Sequence, residues 1–119
     1  MTLQSRSLDH PDEVRKFTNG ELGVVTLSGT TVGRAVFQPG WRWSNDIKPI
    51  AGTESCEAAH TGYVLSGRMH ITMNDGAEGE VGPGDAFIVS PGHDAWVVGD
   101  EPCVALDWSA AENFAKTDE

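Results

Sequence analysis

Basic residues are scarce in this chain: eight Lys and Arg stand against eighteen Asp and Glu, a formal charge of −10 over 119 residues. A phosphate backbone would be repelled on average, which argues against nucleic-acid binding. Cysteine is also scarce. Cys56 and Cys103 are too few for a disulfide scaffold and read as two free thiols. No apolar run approaches the roughly 18 residues that a membrane-spanning helix needs, and the first nine residues hold no apolar stretch of the signal-peptide kind. The expectation is a cytoplasmic protein without membrane contact. Gly82-Pro83-Gly84 precedes a strand rather than a helix, so it does not cradle phosphate. No serine sits in a nucleophile-elbow pattern.

Turn formers, by contrast, are plentiful. Fourteen glycines and six prolines cut the chain into short pieces, and the pieces between them read as strands. Candidates are Leu22 to Leu27, Thr30 to Phe37, Gly62 to Leu65, Arg68 to Met73, Ala86 to Val89, Ala95 to Val98 and Cys103 to Trp108. In the fourth, Met69, Ile71 and Met73 alternate against His70, which predicts one buried face with His70 opposite, exposed or at an interface. Asn74-Asp75-Gly76 reads as a hairpin turn, because Asp-Gly supplies the positive φ that such turns require. Helix signals are confined to the ends: His10-Pro11-Asp12-Glu13 as a short opening turn, and Ser109 to Glu112 as a capping box for a brief helix through Phe114. Gly40 to Thr53 lacks periodicity and reads as a loop or a strand broken by Pro49. The pattern predicts an all-β jelly roll or small barrel, one domain overall, with short terminal helices.

Two passages carry chemistry. One is Glu54-Ser55-Cys56-Glu57-Ala58-Ala59-His60 leading through Tyr63-Val64-Leu65 to Gly67; the other is Gly82-Pro83-Gly84-Asp85 leading through Ser90-Pro91-Gly92-His93 to Trp96. In order and spacing they resemble the two motifs of the cupin superfamily, small double-stranded β-helix proteins. The resemblance covers roughly residues 35 to 108 as the barrel core, with 1–34 as an N-terminal segment carrying the first strands and 109–119 as a short helix or tail. It implies a jelly-roll fold and, as in many cupins, a homodimer. The ligand positions depart from the family pattern. Glu54 and Cys56 stand where the two histidines are usual, His60 where the glutamate is usual, and Ala95 where the last histidine is usual, with His93 two residues earlier.

On a regular strand Glu54, Cys56 and His60 would share a face. A carboxylate, a thiolate and an imidazole at one barrel mouth suit Zn²⁺, with Fe, Mn or Ni as other candidates. His93 would complete four-coordination if its loop bends inward. Glu54 and His60 are also the acid–base candidates. Gly40-Trp41-Arg42-Trp43 places two tryptophans on one face and Arg42 on the other; with Tyr63 and Trp96 they are the candidate wall of a small-molecule pocket, and a dimer interface is the competing role for the tryptophans. Phe37, Trp108 and Cys103 read as core, Arg34 and Lys48 as surface charges, and His10 as unrelated to any site. Two readings stand: a metal-dependent enzyme of dioxygenase, isomerase or cyclase type, and a metal-free small-molecule-binding or sensory cupin. A structural partner protein with a sealed barrel is a third.

Overall fold

Alternation of apolar and polar residues builds the molecule from nine strands and two short helices within residues 3–116, which the computed structural model describes. These are β1 (Glu13–Phe17), β2 (Gly20–Leu27), β3 (Thr30–Phe37), α1 (Trp43–Asp46), α2 (Lys48–Ala51), β4 (His60–Ser66), β5 (Arg68–Met73), β6 (Glu78–Val81), β7 (Ala86–Val89), β8 (His93–Val98) and β9 (Cys103–Asp107). They form a six-stranded sheet, ordered β1-β2-β3-β9-β4-β7, and a three-stranded sheet, ordered β6-β5-β8. Every pairing is antiparallel. Leu22, Val24, Ala35, Phe37, Val64 and Cys103 from the large sheet meet Ala95 and Val97 from the small one in the core. No helix among the described residues is long and apolar enough to cross a membrane.

The hairpin at Asn74-Asp75-Gly76 forms as its sequence requires: Gly76 has φ 96°, and the Ala77 N–H is held by Asp75 Oδ1 at 2.9 Å. Two other glycines decide how closely strands approach. A Cβ at Gly62 would collide with the Leu106 carbonyl of β9, and one at Gly67 with that of Pro102. Gly67 also has φ 75° just after the irregularity between Val64 and Ser66 in the β4–β9 pairing, where glycine alone adopts the needed backbone at no cost.

Several sequence expectations need correction. The stretch from Gly40 to Thr53 contains α1 and α2 rather than a loop or broken strand. Asp94 Oδ1 accepts the Ser44 N–H at 3.1 Å and so supports the start of α1, while Pro49 sits in the first turn of α2, which ends at Gly52 in the left-handed region. His10 to Asp12 does not open a helix. The Asp12 N–H donates to Val24 O and Asp12 Oδ2 accepts from Thr26 N–H, so the chain runs extended beside β2 into β1. The C-terminal capping box is not used either. Ser109 donates its hydroxyl to Ala59 O, and Asp107 takes over the cap by accepting from the N–H groups of Ser109 and Ala110 at 3.0 and 2.8 Å. Turns follow through Ala115. Trp108, expected in the core, is 45% exposed.

Candidate metal centre

Cys56 and His93 come together through the backbone. Cys56 N–H donates to His93 O at 2.8 Å and His93 N–H to Cys56 O at 3.2 Å, an isolated antiparallel bridge. Directly opposed residues in such a pair hold their side chains on one face and close together. His93 opens β8, whose buried positions are His93, Ala95 and Val97, so alternation aims its ring inward without any bend of the preceding loop. Between Cys56 and His60 the chain crosses from the small sheet to the large one, where His60 opens β4 opposite Val89. One donor atom from each of Cys56, His60 and His93 lies within 4.8 Å of the other two.

Both imidazoles are oriented from behind. His60 Nδ1 lies 2.6 Å from Asp107 Oδ2, and His93 Nδ1 lies 2.8 Å from Ser90 O. Each ring therefore donates through Nδ1 and leaves Nε2 for the site, with His60 Nε2 at 3.6 Å from Cys56 Sγ. Fixing the tautomer through a carboxylate and a carbonyl is how metal-binding histidines are commonly held. The span also fits: a sulfur at ~2.3 Å and a nitrogen at ~2.05 Å from a tetrahedral zinc ion lie about 3.6 Å apart.

Charge in the site is set by these contacts. Burial alone would push the Cys56 thiol up, but hydrogen bonds from His60 and then His93 outweigh it and bring its pKa down to about 6. For His60, burial opposes the charged ring, yet the Asp107 hydrogen bond and then that of Cys56 raise it to about 9. Asp107 is lowered because the His60 bond overcomes its desolvation. Without metal the arrangement is a thiolate beside an imidazolium backed by a carboxylate. Cys103, by contrast, is pushed up to about 11 by burial alone, as befits a core thiol.

Beside this group lies an apolar cavity of about 80 Å³. His60, His93 and Asp107 line one side of it, and Trp41, Trp43, Phe37, Val64 and Phe87 much of the remainder. Ala111 and Phe114 of the C-terminal turns complete the lining. Phe114 packs edge-on against His60 with ring centroids 5.5 Å apart.

The structure does not bring every expected residue here. Glu54 is excluded because the segment before the Cys56 bridge is not a strand; its side chain is 97% exposed and pairs with Lys48 Nζ at 3.1 Å. Tyr63 faces outward on β4, since Gly62 and Val64 take the buried positions. Trp96 lies on the outer face of the small sheet, stacked on His70 at 4.6 Å and under Arg42 at 4.4 Å. Trp41 and Trp43 do reach the cavity, with Arg42 on the opposite side as alternation predicts. Asp107 was missed by the sequence reading. Its signal was the period-two pattern of β9, which puts an acid on the same face as Cys103 and Ala105.

A family model described as cupin domain matches residues 50–109. No curated protein matches the chain. Among solved structures, a protein of unknown function from Rhizobium leguminosarum is similar at 18% identity and TM-score 0.62, over 92% of this chain and 97% of that one. The polyketide cyclase RemF from Streptomyces resistomycificus is similar at 17% identity and TM-score 0.63, over 92% and 80%. A protein with a double-stranded beta-helix domain from Klebsiella pneumoniae gives 21% identity and TM-score 0.57, over 95% and 94%. At these identities the likeness concerns the fold.

Proposed function

The chain belongs to the cupin family, and we propose that it binds one divalent metal ion through Cys56 Sγ, His60 Nε2 and His93 Nε2, next to a cavity that admits a small organic molecule. The observation that carries this is the three-donor cluster with both rings tied through Nδ1. One thiolate and two imidazoles favour zinc over the hard, oxygen-seeking ions, and of the metals expected from the sequence zinc fits best. Three protein ligands leave a fourth position for water or a bound molecule, and there the ion would act as a Lewis acid. Asp107 sets the His60 tautomer and stabilises positive charge on the ring, while the apolar lining excludes bulk water. Glu54, on the surface beside Lys48, has no part in the proposal.

The test is metal content and cobalt spectroscopy. Protein purified without chelator is expected to hold one equivalent of metal, and the Co²⁺-substituted form to show a thiolate-to-cobalt charge-transfer band. Cys56→Ser removes the band, and His60→Ala or His93→Ala lowers occupancy. Absence of metal from the intact protein, with no cobalt uptake, sinks the metal reading and leaves a metal-free binding cupin. For the expected homodimer, the outward face of the large sheet offers exposed Tyr63, Leu65 and Ile88 on adjacent strands β4 and β7, and sedimentation of an Ile88→Glu variant tests it.

A further inference from the structure

Each sheet ends in two outer strands, and a strand at an edge offers unpaired backbone groups to any chain that can add to it. Three of these edges are guarded. β1 carries Glu13, Arg15 and Lys16 within five residues, and β6 carries Glu78 and Glu80. β8 is covered along its outer side, where Cys56 and Arg42 bridge to His93 and Trp96 and Val97 N–H donates to Trp41 O at 3.1 Å. β7 differs. It reads Ala86-Phe87-Ile88-Val89, with no charge, no proline and no glycine, and Ile88 is 79% exposed.

The register shows which groups β7 leaves over. Val64 N–H donates to Asp85 O at 2.9 Å, and the strands align with Gly62 opposite Phe87 and His60 opposite Val89. Bonded pairs alternate along an antiparallel ladder, so Phe87 and Val89 bond to β4. Ala86 and Ile88, opposite Tyr63 and Thr61, turn their N–H and C=O groups outward. The far side of β4 agrees: Trp108 N–H donates to Thr61 O at 3.1 Å, so Thr61 serves β9 rather than β7. Among the described residues nothing pairs with the outward groups of Ala86 and Ile88.

Charge and sequence at this edge both suit a second copy of the chain. At a formal charge of −10 two copies repel on average, and an acidic edge such as β6 would add to that repulsion. β7 lets them approach without setting like charges face to face. Asp85, just before it, turns its Oδ2 back to accept from Gly82 N–H at 2.7 Å. A two-fold axis through Phe87 sets Ala86 opposite Ile88 of the second copy, and Ile88 opposite its Ala86. In that register every outward N–H and C=O finds a partner, and a large exposed side chain meets a small one. An axis through Ala86 would instead set Ile88 opposite Gly84, whose N–H is given to Val64 O. An axis through Ile88 would set Ala86 opposite Ser90, whose carbonyl is taken by His93 Nδ1.

We propose that two copies of the chain join edge to edge through β7, antiparallel about a two-fold axis at Phe87, so that their large sheets become one. This rests on the expected homodimer and names its contact; it does not depend on the metal. The experiment combines sedimentation velocity with amide exchange on the full chain. Wild-type protein is expected to sediment as a dimer in which the Ala86 and Ile88 amides exchange slowly, and faster as dilution frees monomer. Ala86→Pro removes one outward N–H per copy, while Phe87 and Val89 keep the ladder with β4, and proline is tolerated at the start of an edge strand. The dissociation constant of the dimer is expected to rise about 10- to 100-fold, the worth of one hydrogen bond lost from each copy. Leu65→Glu, beyond the stretch of β4 that pairs with β7, is expected to leave the dimer intact.

A dimer whose Ala86 and Ile88 amides exchange as fast as those of an open strand overturns the edge pairing and leaves the homodimer standing. So does a dimer that Leu65→Glu dissociates and Ala86→Pro does not. A wild-type monomer removes both. Exchange in the wild-type protein decides the question even should Ala86→Pro fail to fold.

Discussion

Cys56, His60 and Asp107 form a relay in which each contact sets the charge of the next. Asp107→Asn keeps the shape but removes the charge that orients the ring, and metal affinity is expected to drop about 10–100-fold, measured by competition with a chromophoric chelator. The protonation states give a second prediction. In the metal-free site Cys56 loses its proton near pH 6, and His60 keeps its own to about pH 9. Coordination needs the thiolate and the neutral ring. Between these values, binding displaces the His60 proton, so affinity rises about tenfold per pH unit. Above about pH 9 the dependence from this pair flattens, and below about pH 6 it steepens as the thiol proton joins. The same chelator competition, run across that range, checks the slope; a flat profile between the two values would contradict the ion pair. Cys56 and His60 were legible from their place in the motif. Glu54 was misjudged because period two was assumed through residues 54 to 56, and the segment before the Cys56 bridge is not a strand. Asp107 was overlooked because it lies outside both motifs.

Strands were easier to read than segments without a period. Seven of the nine show in the sequence because β-branched or alternating residues mark a buried face. β6, Glu78-Gly79-Glu80-Val81, is an edge strand with three exposed positions and so carries almost no hydrophobic signal. β1 is hidden similarly, with buried Arg15 at its centre. That arginine has a task no local pattern reveals: it donates to the carbonyls of Ala111, Glu112 and Phe114 at 2.7, 3.0 and 2.8 Å while Glu13 holds its other edge. The terminal turns are thus anchored by a residue almost a hundred positions away. Arg15→Met is expected to cost about 2–4 kcal/mol, since charged hydrogen bonds are lost and carbonyls are left in a half-buried place. A lower urea midpoint and faster amide exchange over residues 111 to 115 would show it. An unchanged midpoint would mean that Phe114 packing alone holds the turns.

Taken together, the two sheets enclose a core into which the three proposed metal ligands and the cavity are both set, so metal occupancy should register in the stability of the folded protein. Zinc at ~1,000 times its dissociation constant adds about 4 kcal/mol. For a domain this size that corresponds to a rise in melting temperature of roughly 10 °C or more. Calorimetry with and without zinc checks it, and Cys56→Ser should show no rise. The jelly roll itself was readable because turn residues and alternation recur along nearly the whole length; the lining of the cavity was not, since it depends on side chains from eight strands and α1 meeting in space.

Asp107 divides its two oxygens: one holds His60, and the other holds the first amides of the turns that bring Phe114 over the cavity. A carboxylate shared between a candidate ligand and one wall of the chamber ties the two together. Loss of that carboxylate is therefore expected to loosen both the His60 ring and the turns that carry Phe114.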